Sequence, residues 1–118
     1  MDSTFAMVRA AWQEAGWPGV EEGTSYGTPA LKVRGKLLVR VREPDVLVLF
    51  CSLEEKEVLK HVAPEVFFET PHYHGYPAVL ARASKIEPSE LSELIERRWY
   101  EVAGAKLIRA LEERPKKA

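Results

Sequence analysis

Between Leu31 and Arg42 apolar and cationic side chains alternate, with Leu31, Val33, Leu37, Val39 and Val41 set against Lys32, Arg34, Lys36, Arg40 and Arg42. A repeat of two fits a strand and not a helix, because successive strand side chains point to opposite faces whereas helical faces recur about every 3.6 residues. Arg34-Gly-Lys36 interrupts the pattern and supplies a hairpin turn. The stretch therefore specifies an antiparallel ribbon with one face for a core and the other for cations.

The rest of the chain builds around that ribbon. After the Glu43-Pro-Asp45 turn, Val46 to Phe50 is a nearly continuous apolar strand, the pattern of a strand covered on both faces. Upstream, Asp2 to Ala15 has helical spacing, with Phe5, Val8, Ala11, Trp12 and Ala15 on one side, Ser3 or Thr4 as cap and Gly16 as stop. Trp17 to Thr24 is rich in Gly and Pro and reads as surface turn. Downstream, Ser52 and Glu55 form a capping box for a helix from Leu53 to Val62, and Pro64 ends it. Glu65 to Glu69 and Ala78 to Ala83 are short strands flanking a loop, Thr70 to Pro77, and Pro88 opens one long helix reaching about Glu112. The order α-β-β-β-α-β-β-α predicts an α+β domain of two layers, with helices packed on one face of an antiparallel sheet. Residues 1–113 are expected to form a single domain and 114–118 a basic tail.

Composition narrows the class of protein. One hundred and eighteen residues, 46% hydrophobic and 30% charged, suit one folded domain, and the lone Cys51 allows neither an intramolecular disulfide nor a thiolate cage. The longest apolar run, Val46 to Cys51, is far short of the ~20 residues that cross a bilayer. With no secretory signal either, a cytoplasmic protein with no membrane partner is expected. The sequence lacks Asn and has abundant Glu and Arg, a usage associated with thermophilic proteins.

A net charge of −1 gives no global argument for a nucleic-acid partner. By segment, however, residues 1–30 carry −3, 31–50 carry +3, 51–80 carry −3 and 81–118 carry +2. The densest block is Lys32 to Arg42, a cationic ridge suited to phosphate oxygens, or alternatively a solvated strand face that resists aggregation. Glu69, His72 and His74 have metal-ligating chemistry, but lacking a further clear ligand they read as a loop whose rings pack on the sheet, or alternatively, with the two tyrosines of the same loop flanking a basic ribbon, as rings suited to base or sugar stacking; no metal or other cofactor is expected. Cys51 reads as a small core side chain, Trp12, Trp17 and Trp99 as core or core edge, and Thr24, Ser25 and Thr28 lack the spacing of a phosphate-binding P-loop.

Two stretches, Gly23-Thr-Ser-Tyr-Gly-Thr-Pro-Ala-Leu-Lys-Val-Arg-Gly-Lys36 and Phe68-Glu-Thr-Pro-His-Tyr-His-Gly-Tyr-Pro-Ala-Val-Leu80, followed by a helix bearing Trp99, resemble the MmcQ/YjbR family of small bacterial proteins. The resemblance implies a CyaY-like, "double-wing" α+β fold, a DNA-binding label that rests on fold shape, and no catalytic residues. It carries over Tyr26, Thr28, Lys36, Thr70, His72 and Tyr73 as family-like polar positions; His74 is outside the pattern. The expected function is a non-enzymatic domain that contacts DNA phosphates through Lys32, Arg34, Lys36, Arg40 and Arg42, with His72 and Tyr73 beside them. The alternatives are a protein-interaction or chaperone-like module, homodimeric through a sheet face or edge, and a small-anion pocket of Tyr26, Thr28, Lys36, Thr70 and His72.

Overall fold

The computed structural model describes residues 3–114. Helix α1 (Thr4–Ala15) buries Phe5, Val8 and Ala11 as the spacing predicts, and Gly16 closes it at φ 66, a left-handed conformation that glycine adopts without strain. The cap differs from expectation. Ser3 makes no side-chain cap bond, and Thr4 Oγ1 instead accepts the Asp45 N–H at 2.7 Å, which ties the start of α1 to a turn between strands.

A strand, β1 (Val20–Ser25), occupies much of the segment read as surface turn, so four sequential strands form where three are expected. It pairs with β2 (Thr28–Val33) from Val20 opposite Val33 to Ser25 opposite Thr28. Glu21, Glu22 and Gly23 are poor strand formers, but Tyr26 at φ 53 and Gly27 at φ 78 close a two-residue hairpin that sets the register. Charged side chains also belong on an edge strand, where they discourage pairing with other chains. The next turn, Arg34 at φ 53 and Gly35 at φ 77, has the same left-handed pair and leads into β3 (Lys36–Glu43), which is followed by β4 (Val46–Phe50).

Helix α2 (Leu53–Val62) has the predicted bounds, and Ser52 Oγ accepts the Glu55 N–H at 3.1 Å. The strand expected around Glu65 to Glu69 shortens to β5 (Phe67–Phe68); a single 3₁₀ turn, Pro71–Tyr73, follows, and then β6 (Ala78–Arg82). The long terminal helix is two: α3 (Pro88–Val102) and α4 (Ala105–Glu112), separated where Gly104 sits at φ 88. The first residue of the expected basic tail, Arg114, donates to the carbonyls of Gly16 at 2.8 Å and Ala15 at 3.0 Å; residues 115–118 lie outside the described residues.

The strands make one antiparallel sheet in the order β1-β2-β3-β4-β6-β5. Helices α1 and α3 cover one face, where Leu31, Val33, Val39, Val41, Leu47, Leu49, Val79 and Ala81 join Phe5, Val8, Leu91, Ile95 and Trp99 in the main core. The opposite face carries a smaller cluster, Val46, Val48, Ala78 and Leu80, capped by Tyr73 from the loop after β5. Burial on both faces explains the uninterrupted apolar run of β4. Among the described residues, no helix is long and apolar enough to cross a membrane.

A β-bulge changes the phase of the ribbon. Leu31 pairs with Val39 but Lys32 pairs with Leu37, leaving Leu38 as an extra residue in β3. Residues directly opposite one another share a face, so Lys36, across from Val33, lies on the helix-bearing side, and Leu37, across from Lys32, lies on the other. The regular alternation expected from Leu31 to Arg42 is therefore broken once, in the middle of β3.

Candidate functional site

The face opposite α1 and α3 collects polar and aromatic groups from three segments. Lys32 comes from β2, Arg40 and Arg42 from β3, and Arg82 from β6, where it pairs with Val46. Two members of the expected cationic set are elsewhere. Arg34 stands in the hairpin turn and donates to the Ala103 carbonyl at 3.4 Å, capping the end of α3, and Lys36 is displaced by the bulge. The ridge of five cations is thus three, Lys32, Arg40 and Arg42, extended by Arg82. Two carboxylates lie on the same side, Glu21 opposite Lys32 and Glu43 paired with Arg42.

Arg40 organises the centre. Its guanidinium donates to Tyr73 Oη at 2.8 Å and to Thr28 Oγ1 at 3.4 Å, and it lies 5.1 Å from the centroid of the Tyr26 ring. The His72 ring meets Tyr73 edge-on at 5.1 Å, Tyr76 lies 6.0 Å from Tyr73, and the Arg42 guanidinium lies 6.0 Å from the Tyr73 centroid. These groups surround a cleft of about 420 Å³ whose floor is Leu37, Val48, Phe50 and Ala78 and whose walls are Tyr26, His72, Tyr73 and Tyr76, with Arg40 among them. At the end near Leu37 and Phe50, Arg98 of α3 lies 4.2 Å from the Phe50 ring centroid and donates to the Leu37 carbonyl at 3.0 Å.

The wall formed by Thr70 to Pro77 is held from below by a buried lysine. Lys56 is 1% exposed, and its ammonium donates to the carbonyls of Tyr73 at 2.6 Å and Tyr76 at 2.9 Å while lying 3.1 Å from Glu69 Oε1. Three acceptors meet the three N–H donors of an ammonium, which is what a buried cation requires. Glu69 is shared further: Lys60 donates to Oε1 at 2.9 Å and His74 Nδ1 lies 2.8 Å from Oε2. The bonds from Lys60 first, then from His74, together with Lys56, hold the Glu69 carboxyl down at about 2. Glu69 therefore serves an ion-pair network with Lys56 and Lys60 under the loop and meets the exposed His74 on its other oxygen, while His72 faces the cleft, and among the described residues no cluster has the make-up of a metal site.

The expected anion pocket is gathered only in part. Tyr26, Thr28 and His72 lie in or beside the cleft around Arg40, Lys36 is on the other side of the sheet, and Thr70 does not line the cleft; its buried Oγ1 has no hydrogen-bond partner among the described residues. Sequence reasoning missed Lys56, Phe50, Arg82 and Arg98 and reached Tyr76 only as one of the loop's two tyrosines. Only Lys56 had a local signal, its spacing of three and seven from Leu59 and Ala63, which pack on the core. Cys51 borders a separate hollow with Ser52, Glu55, Val58, Arg97, Arg98 and Glu101. Burial, reinforced by Glu55, pushes its thiol up to about 11, so it is a weak nucleophile at neutral pH. A larger hollow of about 660 Å³ between α1 and α3 has Glu14, Glu93 and Glu96 at its rim, the wrong sign for an anion, and Glu96 accepts from Trp17 Nε1 at 2.8 Å.

The YjbR family model matches residues 15–101, which include every strand and all of the cleft. The chain belongs to the YjbR family. Its fold matches the crystal structure of Deinococcus radiodurans protein DR2400, assigned to domain family DUF419, with a TM-score of 0.69 over 89% of this chain and 85% of the other at 18% identity. Curated relatives include Uncharacterized protein Rv2570 of Mycobacterium tuberculosis and Uncharacterized protein Mb2600 of Mycobacterium bovis. Each is 40% identical over 73 residues, 62% of this chain and 51% of the relative. This YjbR chain spans about half the length of the curated relatives it matches.

Proposed function

We propose that the face of the sheet opposite α1 and α3 binds nucleic acid through its phosphates. The observation that supports this best is the alignment of Lys32, Arg40, Arg42 and Arg82 on one side of β2, β3 and β6, where they outnumber Glu21 and Glu43, while Glu69 is neutralised by Lys56 and Lys60 beneath the loop. Local positive potential attracts a polyanion even when net charge is near zero, because screening over about 10 Å decouples the face from distant acids. The reading retains Lys32, Arg40, Arg42, His72 and Tyr73 from the expected set and drops Arg34 and Lys36. Binding is weak and salt-dependent, with few phosphates neutralised.

A salt titration of oligonucleotide binding tests it. With about three phosphates engaged, the logarithm of affinity should fall against the logarithm of salt with a slope of roughly −2 to −3. Lys32→Glu combined with Arg42→Glu should flatten that slope by about two. Variant and wild type with the same affinity and the same slope would refute the phosphate face.

A further inference from the structure

We infer that the cleft takes one unpaired nucleobase, so that the face binds single-stranded in preference to duplex nucleic acid; this rests on the phosphate reading above and gives it a substrate class. The cleft combines an apolar floor with aromatic walls, the chemistry that accepts the flat face of a base, and has Arg40 in its lining. Arg42 and Arg82 lie toward the end of the sheet where Glu43 and Arg82 pair with Val46, Arg40 lies at the middle, and Arg98 at the opposite end beside Leu37 and Phe50. A strand following this line keeps its phosphates on guanidinium groups while one base turns down into the cleft.

Tyr26 is the most telling residue. Its ring is 90% exposed, although large aromatic side chains are ordinarily covered. The left-handed pair Tyr26-Gly27 fixes its position and Arg40 lies 5.1 Å from its centroid, so the ring is placed at the rim with most of its surface bare. Arg40 uses its contacts with Tyr73, Thr28 and the Val41 carbonyl for only part of its five N–H donors, leaving donors for a phosphate or a base edge. In a duplex each base is covered above and below by its neighbours and displays only its edges in the grooves, so neither the floor nor Tyr26 meets a ring face.

The test compares three probes of about 12 units in the same salt: a single-stranded oligonucleotide, the matched duplex, and an abasic strand with the same sugar-phosphate backbone. The single strand should bind about tenfold more tightly than either of the others. Tyr26→Asn, which suits the left-handed turn but removes the ring, should erase that preference and leave the salt slope unchanged, and Tyr26→Phe should restore it. If all three probes bind alike, the cleft takes no base while the phosphate face stands. If none binds even at low salt, the phosphate face fails and the base site with it.

Discussion

At the residue scale the candidate site depends on Lys56 and Glu69. The spacing of Lys56 from Leu59 and Ala63 hinted at an inward face, but its role was not legible because the acceptors of its ammonium, on Tyr73, Tyr76 and Glu69, are distant in sequence. Arg40, Tyr26 and Tyr73 were legible singly, but that one guanidinium would join two of these rings was not, since the contact with Tyr73 spans 33 positions. Removing one partner of a buried, hydrogen-bonded charge leaves the others unpaired, so Lys56→Met should lower stability by about 3 kcal/mol in urea unfolding. The acid limb follows from Glu69. A carboxyl held at about 2 in the folded state adds stability above its ordinary range, and that stability is lost as pH falls through the range toward 2. Glu69→Gln should therefore be less stable than wild type at neutral pH and show a shallower loss between about pH 5 and pH 2; identical pH profiles would remove Glu69 from this role.

At the scale of elements, what was written locally was legible. The bounds of α2 follow from Ser52, Glu55 and Pro64, and the two-residue turn at Arg34-Gly35 from its own chemistry. What depends on distant partners was not. Strand β1 exists because β2 pairs with it, against the propensities of Glu21 and Gly23, and the Leu38 bulge is settled by which of Leu37 and Leu38 the core accepts. The break between α3 and α4 is similar. Gly104 at φ 88 lets α4 turn back so that Leu107 packs against Gly19, where an added Cβ would come within 2.7 Å of Leu107 Cδ1. The Arg34 guanidinium fills the space beside Gly104 and supplies positive charge at the end of α3, where unpaired carbonyls favour it. Gly104→Ala brings a left-handed strain and a collision with that guanidinium, and should cost about 1–3 kcal/mol in chemical denaturation. A change below about 0.5 kcal/mol would show that the junction rearranges freely.

For the whole molecule, the near-neutral total concealed a division by face. Acids rim the hollow between α1 and α3, and on the opposite side of the sheet four cations outnumber Glu21 and Glu43, an imbalance anticipated by the alternating segment charges but not assigned to faces by them. Both sheet edges are guarded: β5 has two residues, and β1 carries Glu21 and Glu22, the latter paired with Arg9 of α1. Glu21→Val should raise self-association above wild type across a concentration series in sedimentation velocity, because it replaces an edge charge with a strong strand former. Superimposable profiles would show that this carboxylate does not protect the edge.

The buried lysine has a further consequence, in chain entropy. Strands β1 to β4 are joined by turns of two residues, so the cationic side of the cleft costs little loop closure, whereas the bond from Arg40 to Tyr73 must close a separation of 33. Lys56 shortens that span, gripping Tyr73 across 17 positions, and Lys60 on the same helix grips Glu69 across 9. Because closure entropy grows with the logarithm of loop length, each halving recovers only about 0.6 kcal/mol. The clamp therefore matters less for the energy of bringing the two walls together than for restricting the positions the aromatic wall can occupy once they have met.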